Sequence, residues 1–151
     1  MIVKSKETLD RFRQPGRCEN CDIWCALPRV SAHVFGRGHG GGTRLDIALN
    51  LVSLGDAFRC RCHQDHHSGK LKTGRLCEIV GQRYGMTGPE VEARLRLMLR
   101  APKEVTACPR CEGTGQYARY IGGCEPCAVC DGQGLLNQHG EPWREQVRTF
   151  H

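Results

Sequence analysis

Apolar residues recur at helical and strand spacings along the chain, and they predict short elements of both kinds. Residues 5–14 are charged, with apolar positions on one helical face and a Pro-Gly pair after them, which predicts a short helix. Segments 31–35 and 47–54 predict strands, and the glycine-rich residues 36–42 between them predict a loop. Residues 57–67 contain neither glycine nor proline, so a second helix is predicted there.

The second half of the chain carries a stronger helix signal. Thr87 and Glu90 form a capping box with a proline in the first turn, which predicts a helix over residues 87–100. The apolar segment 77–84 fits either type of element, and residues 143–150 predict a closing helix or strand. The chain is therefore expected to have an α+β fold.

One cysteine pattern, C-x-x-C-x-G-x-G, occurs twice, at residues 108–115 and 127–134. Each copy supplies two thiolates, so the pair predicts one tetrahedral zinc site in a hairpin finger. Cys124 overlaps the second copy and is either a spare thiol or an alternative ligand. The predicted ligands of this structural zinc are Cys108, Cys111, Cys127 and Cys130.

The composition favours small metal-stapled modules. Aromatic residues make up 6% of the 151 residues and glycines number 19, so a large apolar core is not expected. The chain has eleven cysteines, no signal peptide and no apolar run that could span a membrane. The C-x-x-C spacings therefore predict zinc binding in a reducing cytoplasm rather than disulfides.

The charge distribution gives only supporting information about partners. The formal net charge is +6, but a zinc held by four thiolates carries −2, so two such sites would reduce it to about +2. Net charge is therefore a weak argument for nucleic acid. Arginine clusters are more informative, and they comprise Arg11, Arg13 and Arg17, then Arg59 and Arg61, then Arg94, Arg96 and Arg100.

Four polar residues form a candidate reaction site. His63 and His67 are four residues apart on a predicted helix, so both imidazoles can face one cation, and His66 is expected to be their exposed neighbour. His33 lies on the preceding predicted strand, and its imidazole is the side-chain type that most often serves as a general base. Asn50 lies between them in the sequence.

This segment resembles the HNH (His-Me finger) endonucleases. The matching residues are Ser-Ala-His33-Val-Phe, a glycine-rich loop, Asn50-Leu-Val-Ser-Leu, and Cys62-His63-x-x-x-His67, about a third of the chain. The resemblance implies a treble-clef-like ββα-metal core followed by a helix and the zinc finger. It divides the chain into a nuclease-like domain (15–75), a helical connector (76–104), the finger (105–136) and a C-terminal tail (137–151).

The resemblance also implies residue roles. His33 matches the general base that activates water, and Asn50 matches the residue that orients it. His63 and His67 match ligands of a divalent cation (Mg²⁺, Mn²⁺ or Zn²⁺), and Arg37 is expected to contact phosphate. The implied ligands of a further structural zinc are Cys18, Cys21, Cys60 and Cys62.

The chain departs from the family pattern at two places. Ala32 stands where an aspartate or histidine usually supplies a metal ligand, and water, Asp46 or His39 are candidates to fill that position. Cys60-Arg-Cys62 replaces the expected C-x-x-C pair, so Cys25 is a possible substitute ligand.

The finger resembles the zinc-binding region of DnaJ-type co-chaperones, and late antitermination proteins of lambdoid phages carry a comparable two-repeat finger. It is either a structural staple or a surface for DNA or a protein partner. The leading hypothesis is a metal-dependent DNA endonuclease of phage or mobile-element origin that produces 5′-phosphate ends. The alternative is a non-catalytic, zinc-containing DNA-binding or antitermination-type protein, which Ala32 favours. A chaperone accessory is improbable, because the chain lacks a His-Pro-Asp motif.

Overall fold

Short antiparallel ribbons and helices make up the fold of this computed structural model, which describes residues 5–35, 45–57, 59–118 and 123–145. The helices are α1 (Lys6–Phe12), α2 (Cys62–His67), α3 (Thr73–Tyr84) and α4 (Gly88–Arg100). The strands are β1 (Gly16–Arg17), β2 (Trp24–Cys25), β3 (Val30–His33), β4 (Leu51–Leu54), β5 (Thr106–Ala107), β6 (Gln116–Ala118), β7 (Cys124–Pro126) and β8 (Leu135–Leu136). The expected α+β class is confirmed.

The strands pair in twos, as β1–β2, β3–β4, β5–β8 and β6–β7, and every pair is antiparallel. The β3–β4 ribbon matters most for function because it carries His33, which lies opposite Leu51 in the register. All four residues of β4 are buried. The ribbon is therefore anchored in the core while the end of β3 approaches the surface.

The predicted N-terminal helix is present as α1. Ser5 caps it, since its side chain accepts a hydrogen bond from the amide of Thr8 at 3.1 Å. Leu9 is buried, and the Ser53 hydroxyl on β4 donates to the carbonyl of Phe12 at 2.7 Å. These contacts fix α1 against the β3–β4 ribbon.

Two predicted boundaries were wrong. The helix expected from residue 57 begins at Cys62, because Ala57 and Cys60 exchange two backbone hydrogen bonds of 2.9 Å and close a turn. That turn directs Cys60 inward, so that its sulfur lies beside Gly55. A Cβ atom added at Gly55 would overlap this sulfur. The strand expected over 47–54 begins at Leu51, after a 3₁₀ turn over Ala48–Asn50.

Helices α3 and α4 form a tightly packed pair. The ambiguous segment 77–84 belongs to α3, which ends at Gly85 in the left-handed conformation. The predicted capping box of α4 is present, with the Thr87 amide donating to Glu90 Oε2 at 2.7 Å. A Cβ atom on Gly81 would overlap the carbonyl oxygen of Met86, so glycine permits the close approach at this turn.

One hydrophobic core runs through the described residues, although the composition argues against a large one. Aliphatic side chains rather than aromatic ones fill it, with contributions from β4, α3, α4 and β8. Its fully buried members include Leu49, Val52, Leu54, Leu76, Val80, Val91, Leu95, Met98 and Leu135. Cysteines of the first half, Cys18, Cys25, Cys60 and Cys62, belong to this core, whereas Cys108, Cys111, Cys127 and Cys130 form a separate buried cluster with Leu136.

Two expectations concern membrane-spanning segments and the closing element of the chain. Within the described ranges, no helix is both long and apolar enough to cross a lipid bilayer. Of the predicted closing element, Trp143, Arg144 and Glu145 form neither helix nor strand, and residues 146–150 lie outside the described part.

Candidate active site and metal centres

The first metal centre brings together the four cysteines that the family resemblance implies. The sulfur atoms of Cys18, Cys21, Cys60 and Cys62 all lie within 4.8 Å of one another. The Cys21 and Cys60 sulfurs are 3.4 Å apart. Cys25, the possible substitute, is buried beside Gly55 but is not a member of this group. The C-x-C spacing is therefore compatible with a four-thiol site.

Backbone amides favour the thiolate at Cys18, whereas burial raises the pKa of Cys21 and of Cys62. Burial raises the pKa of Cys18, but hydrogen bonds from the backbone of Gly55, Cys21 and Asn20 outweigh it and lower that pKa to about 7. The Asn20 side-chain amide also donates to the Cys62 sulfur at 3.3 Å. A set of four converging sulfurs, three of them on buried residues, with amide donors around it suits tetrahedral Zn²⁺.

The second metal centre is formed by the twin cysteine motifs. The sulfurs of its four cysteines lie within 4.8 Å of one another, and all four residues are buried. Cys124 is exposed on β7 and does not belong to the group. The members are Cys108, Cys111, Cys127 and Cys130. All eleven cysteines fall within the described residues and each is a free thiol.

The two motif copies are related by a repeated hydrogen-bond pattern. Cys108 donates its amide to the carbonyl of Gly134 at 2.8 Å, and Cys127 does the same to Gly115 at 2.8 Å. The amide of Gly115 donates in turn to the Cys111 sulfur at 3.2 Å. In the second copy, the equivalent amide of Gly134 donates to the Cys130 sulfur at 3.1 Å. Each copy therefore donates an amide to one of its own sulfurs, and the backbones of the two copies are bonded to each other.

Backbone conformation explains why glycine ends each copy. Gly115 and Gly134 have φ angles of 72° and 75°, in the left-handed region that favours glycine. A Cβ atom on Gly134 would overlap the carbonyl oxygen of Gly113, and one on Gly115 would overlap that of Gly132. The last glycine of each motif is required by both conformation and space.

Arg94 connects this centre to helix α4. Its Nη1 donates to the carbonyl of Gly132 at 2.8 Å, and its guanidinium lies against both terminal glycines of the motifs. Burial lowers the pKa of Arg94, while the nearby thiols of Cys111 and Cys130 raise it. A cation here offsets the negative charge of a zinc held by thiolates. The arginine clustering in the sequence includes Arg94 but does not indicate this contact.

The candidate general base, His33, contacts a buried carboxylate. Its Nε2 lies 2.9 Å from Oδ1 of Asp46, and the Asp46 side chain is 0% exposed, against 20% for His33. The other carboxylate oxygen accepts a hydrogen bond from the Ser5 amide at 3.1 Å. Asp46, a candidate metal ligand from the sequence, thus lies against the imidazole of His33.

Asn50 acts on the backbone around His33. Its side-chain oxygen accepts from the amide of Phe35 at 2.9 Å, and its side-chain nitrogen donates to the carbonyls of Phe35 (3.2 Å) and Leu45 (3.1 Å). Its backbone carbonyl accepts from Val34 at 2.9 Å. Asn50 therefore joins the two ends of the segment that follows β3, and these bonds reach His33 only through the backbone.

The histidines of α2 present converging ring nitrogens. The Nε2 atoms of His63 and His67 are 3.0 Å apart, as the four-residue spacing predicts. The Nδ1 atom of His63 lies 3.2 Å from Oδ2 of Asp56. Two imidazole nitrogens that face one point match the first two ligands of a divalent cation site. The family resemblance does not point to Asp56.

His66 connects the helix to the strand of the candidate base. It was expected to be exposed, but it is half-buried, and His67 is the exposed residue. Burial lowers the pKa of His66, as do the neighbouring His67, His63 and His33, whereas a hydrogen bond with the His33 backbone raises it. The expectation of exposure was wrong because the His66 ring approaches the backbone of His33 on β3.

Ala32 faces away from this cluster. It is 4% exposed and belongs to the hydrophobic core, and strand alternation places its side chain on the opposite face of β3 from His33. Among the described residues, the two four-cysteine groups are the only sets of three or more histidine, cysteine or acidic ligand atoms close enough for one ion. Arg37 and His39 lie outside those residues.

Comparison of the chain with models of known protein families, with curated proteins and with solved structures found no match. The residues described above therefore carry the functional inference.

Proposed function

We propose that this protein is a metal-dependent DNA endonuclease of the HNH type, with His33 as its general base. The observation that carries the proposal is the 2.9 Å contact between His33 and buried Asp46, at the end of a strand whose backbone the His66 ring of α2 approaches. The arrangement supplies an oriented base beside a pair of converging imidazoles, which are the components of metal-assisted phosphodiester hydrolysis.

Asp46 selects the reactive nitrogen of His33. A carboxylate can only accept, so Nε2 carries the proton and Nδ1 keeps its lone pair for a water molecule. When His33 takes a proton from that water, the imidazolium is stabilised by the fully buried carboxylate. Activated water then attacks the phosphorus, which places the phosphate on the 5′ end of the product.

The residues that would hold the cation are His63 and His67. A bound divalent cation supplies Lewis-acid stabilisation of charge on the scissile phosphate and on the leaving 3′ oxygen. Both imidazoles must be neutral to act as ligands, and their shared helix keeps the two Nε2 atoms on one side.

The first cysteine group fixes the reaction site. Its ligands Cys60 and Cys62 lie between β4 and α2, and Cys62 is the first residue of the helix that carries the histidines. Zinc at this group would therefore set the position of α2 relative to the ribbon that carries His33. The free thiols of the chain require a reducing compartment, and we propose the cytoplasm.

A cleavage assay on supercoiled plasmid and on branched DNA tests the proposal, with Mg²⁺, Mn²⁺ or Zn²⁺ as the added cation. His33→Ala is expected to reduce the rate about 100-fold or more, because proton transfer to a positioned base contributes at least that factor. His139→Ala, an exposed histidine in a turn, is the matched control and should cleave like the wild type. Equal rates for wild type and His33→Ala would show that the proposal is wrong.

A non-catalytic DNA-binding or antitermination-type protein is the second candidate. The observation that favours it is the burial of Ala32 in the core, which leaves His63 and His67 without a third ligand in the described chain. Binding of DNA with no cleavage under any of the three cations, in protein that retains two zinc ions, would favour this function.

A further inference from the structure

Asp56 makes a side-chain contact that the general-base mechanism does not use. It lies in the turn between β4 and α2, and its Oδ2 is 3.2 Å from Nδ1 of His63. The carboxylate is 34% exposed and the imidazole 18% exposed. The remaining ring nitrogen of His63 faces His67 at 3.0 Å.

The backbone holds the two partners of this contact in place. The amide of His63 donates to the carbonyl of Gly55 at 3.1 Å, so both the backbone and the side chain of His63 are bonded to the same turn. Gly55 packs directly against the Cys60 sulfur of the first metal centre. The backbone at Asp56 is therefore held by the turn that carries Cys60.

The contact with Asp56 fixes which ring nitrogen of His63 is available to bind a cation. A carboxylate at Nδ1 retains the proton there and leaves the Nε2 lone pair directed towards His67. In metal sites, an outer carboxylate of this kind orients the ligating imidazole and increases its basicity. An ordinary exposed ion pair would not require the two Nε2 atoms to converge.

We propose that Asp56 is the positioning residue of a divalent-cation site whose ligands are His63 and His67, and that this site prefers a transition metal to Mg²⁺. The preference follows from the donors, since imidazole nitrogen suits ions such as Zn²⁺ and Ni²⁺, whereas Mg²⁺ selects oxygen ligands. This inference rests on the cation site of the proposed function and identifies how that site is oriented and which ions it takes.

Titration of the zinc-loaded full chain with Ni²⁺, followed by calorimetry, tests the proposal without reference to catalysis. Native mass spectrometry first verifies that both cysteine groups retain zinc. Asp56→Ala is expected to weaken the Ni²⁺ affinity about 10- to 100-fold, the effect typical of losing an outer-shell partner. Asp56→Asn keeps an acceptor oxygen but removes the charge, and should give a smaller loss. Mg²⁺ in excess should compete poorly.

Asp65→Ala is the matched control, because it also removes one aspartate carboxylate, in this case from a position on α2 between the two histidines. No hydrogen bond or ion pair within the described ranges joins the Asp65 carboxylate to a histidine, so its Ni²⁺ affinity should equal that of wild type. The double variant His63→Ala/His67→Ala gives the baseline for adventitious binding. If Asp56→Ala fails to fold, the Asp56→Asn titration decides.

The outcomes separate this inference from the proposed function. Wild-type Ni²⁺ affinity in both Asp56 variants, or a wild type no better than the double variant, overturns the inference. Tight Mg²⁺ binding overturns the preference for transition metals. Weakened Ni²⁺ binding in the Asp56 variants supports the inference even if the wild type cleaves no DNA, a result that would reject the nuclease alone.

Discussion

At the scale of single residues, two aspartates orient the histidines of the candidate site. Asp46 contacts His33 and Asp56 contacts His63, across 13 and 7 positions of the sequence. The histidines are recognisable from their order and spacing, because the helical period brings His63 and His67 together. The aspartates have no such spacing, since their contacts depend on how β3, the turn and α2 pack. Sequence patterns therefore single out the candidate histidines and miss the carboxylates that contact them.

Asp46→Asn tests the orientation of His33. The amide nitrogen of asparagine can donate to Nε2, which favours the tautomer with its proton on Nδ1 and leaves no base for water. We expect kcat for DNA cleavage to fall at least about 100-fold with a small change in KM. Asp65→Asn should behave like wild type in the same assay. An unchanged kcat for Asp46→Asn would remove Asp46 from the mechanism.

At the scale of elements, local signals set some boundaries and distant contacts set others. The capping box of α4 is complete within four residues, and the helix begins where that signal predicts. The start of α2 was predicted five residues too early, because a backbone-bonded turn precedes it and brings the Cys60 sulfur to 3.4 Å from that of Cys21, 39 positions away. The helix propensities of residues 57–61 carry no information about this distant contact.

The twin motifs allow a sharp test of their terminal glycines. Gly134 and Gly140 have similar positive φ angles of 75° and 79°, but a Cβ atom has open space only at Gly140. Gly140→Ala should cost about 1 kcal/mol of stability, from backbone conformation alone. Gly134→Ala adds an overlap with the carbonyl of Gly113 and should release the second zinc.

Native mass spectrometry and thermal unfolding measure this difference. The expected zinc count is two for Gly140→Ala and one for Gly134→Ala. If the two variants were equally stable and both held two zinc ions, the close approach between the motif copies would not be required for the site.

At the scale of the whole molecule, a shared apolar layer and a few polar contacts join segments that are distant in sequence. Arg94 on α4 reaches Gly132 in the second metal centre, 38 positions away. Leu135 of β8 is fully buried in the same core as Leu54 of β4. The amphipathic pattern of α4 predicts its buried face, but no local pattern distinguishes Arg94 from the arginines beside it.

Replacing Arg94 tests whether the second centre is attached to the core through this side chain. Arg94→Met should destabilise the protein by about 1–3 kcal/mol, because it leaves the carbonyl of Gly132 without its charged donor. Arg96→Met is the control, since exposed Arg96 pairs with Glu92 and lies over the Phe35 ring, and its loss should cost less than about 1 kcal/mol. Chemical denaturation compares the two. Equal effects would mean that Arg94 contributes no more than a surface arginine.

The ligands of the first cysteine group come from two distant points, near residues 20 and 61, and the chain between them contains His33, Asp46 and Asn50. Zinc bound there would act as a reversible cross-link around the segment that holds the candidate base. A single backbone cut between Phe35 and Leu45 would leave the two fragments joined through the metal and through the paired strands. Under the proposed function, zinc supply would govern cleavage without the ion entering the chemistry, because a chelator strong enough to open the cross-link would release α2 and its histidines from the ribbon that carries His33.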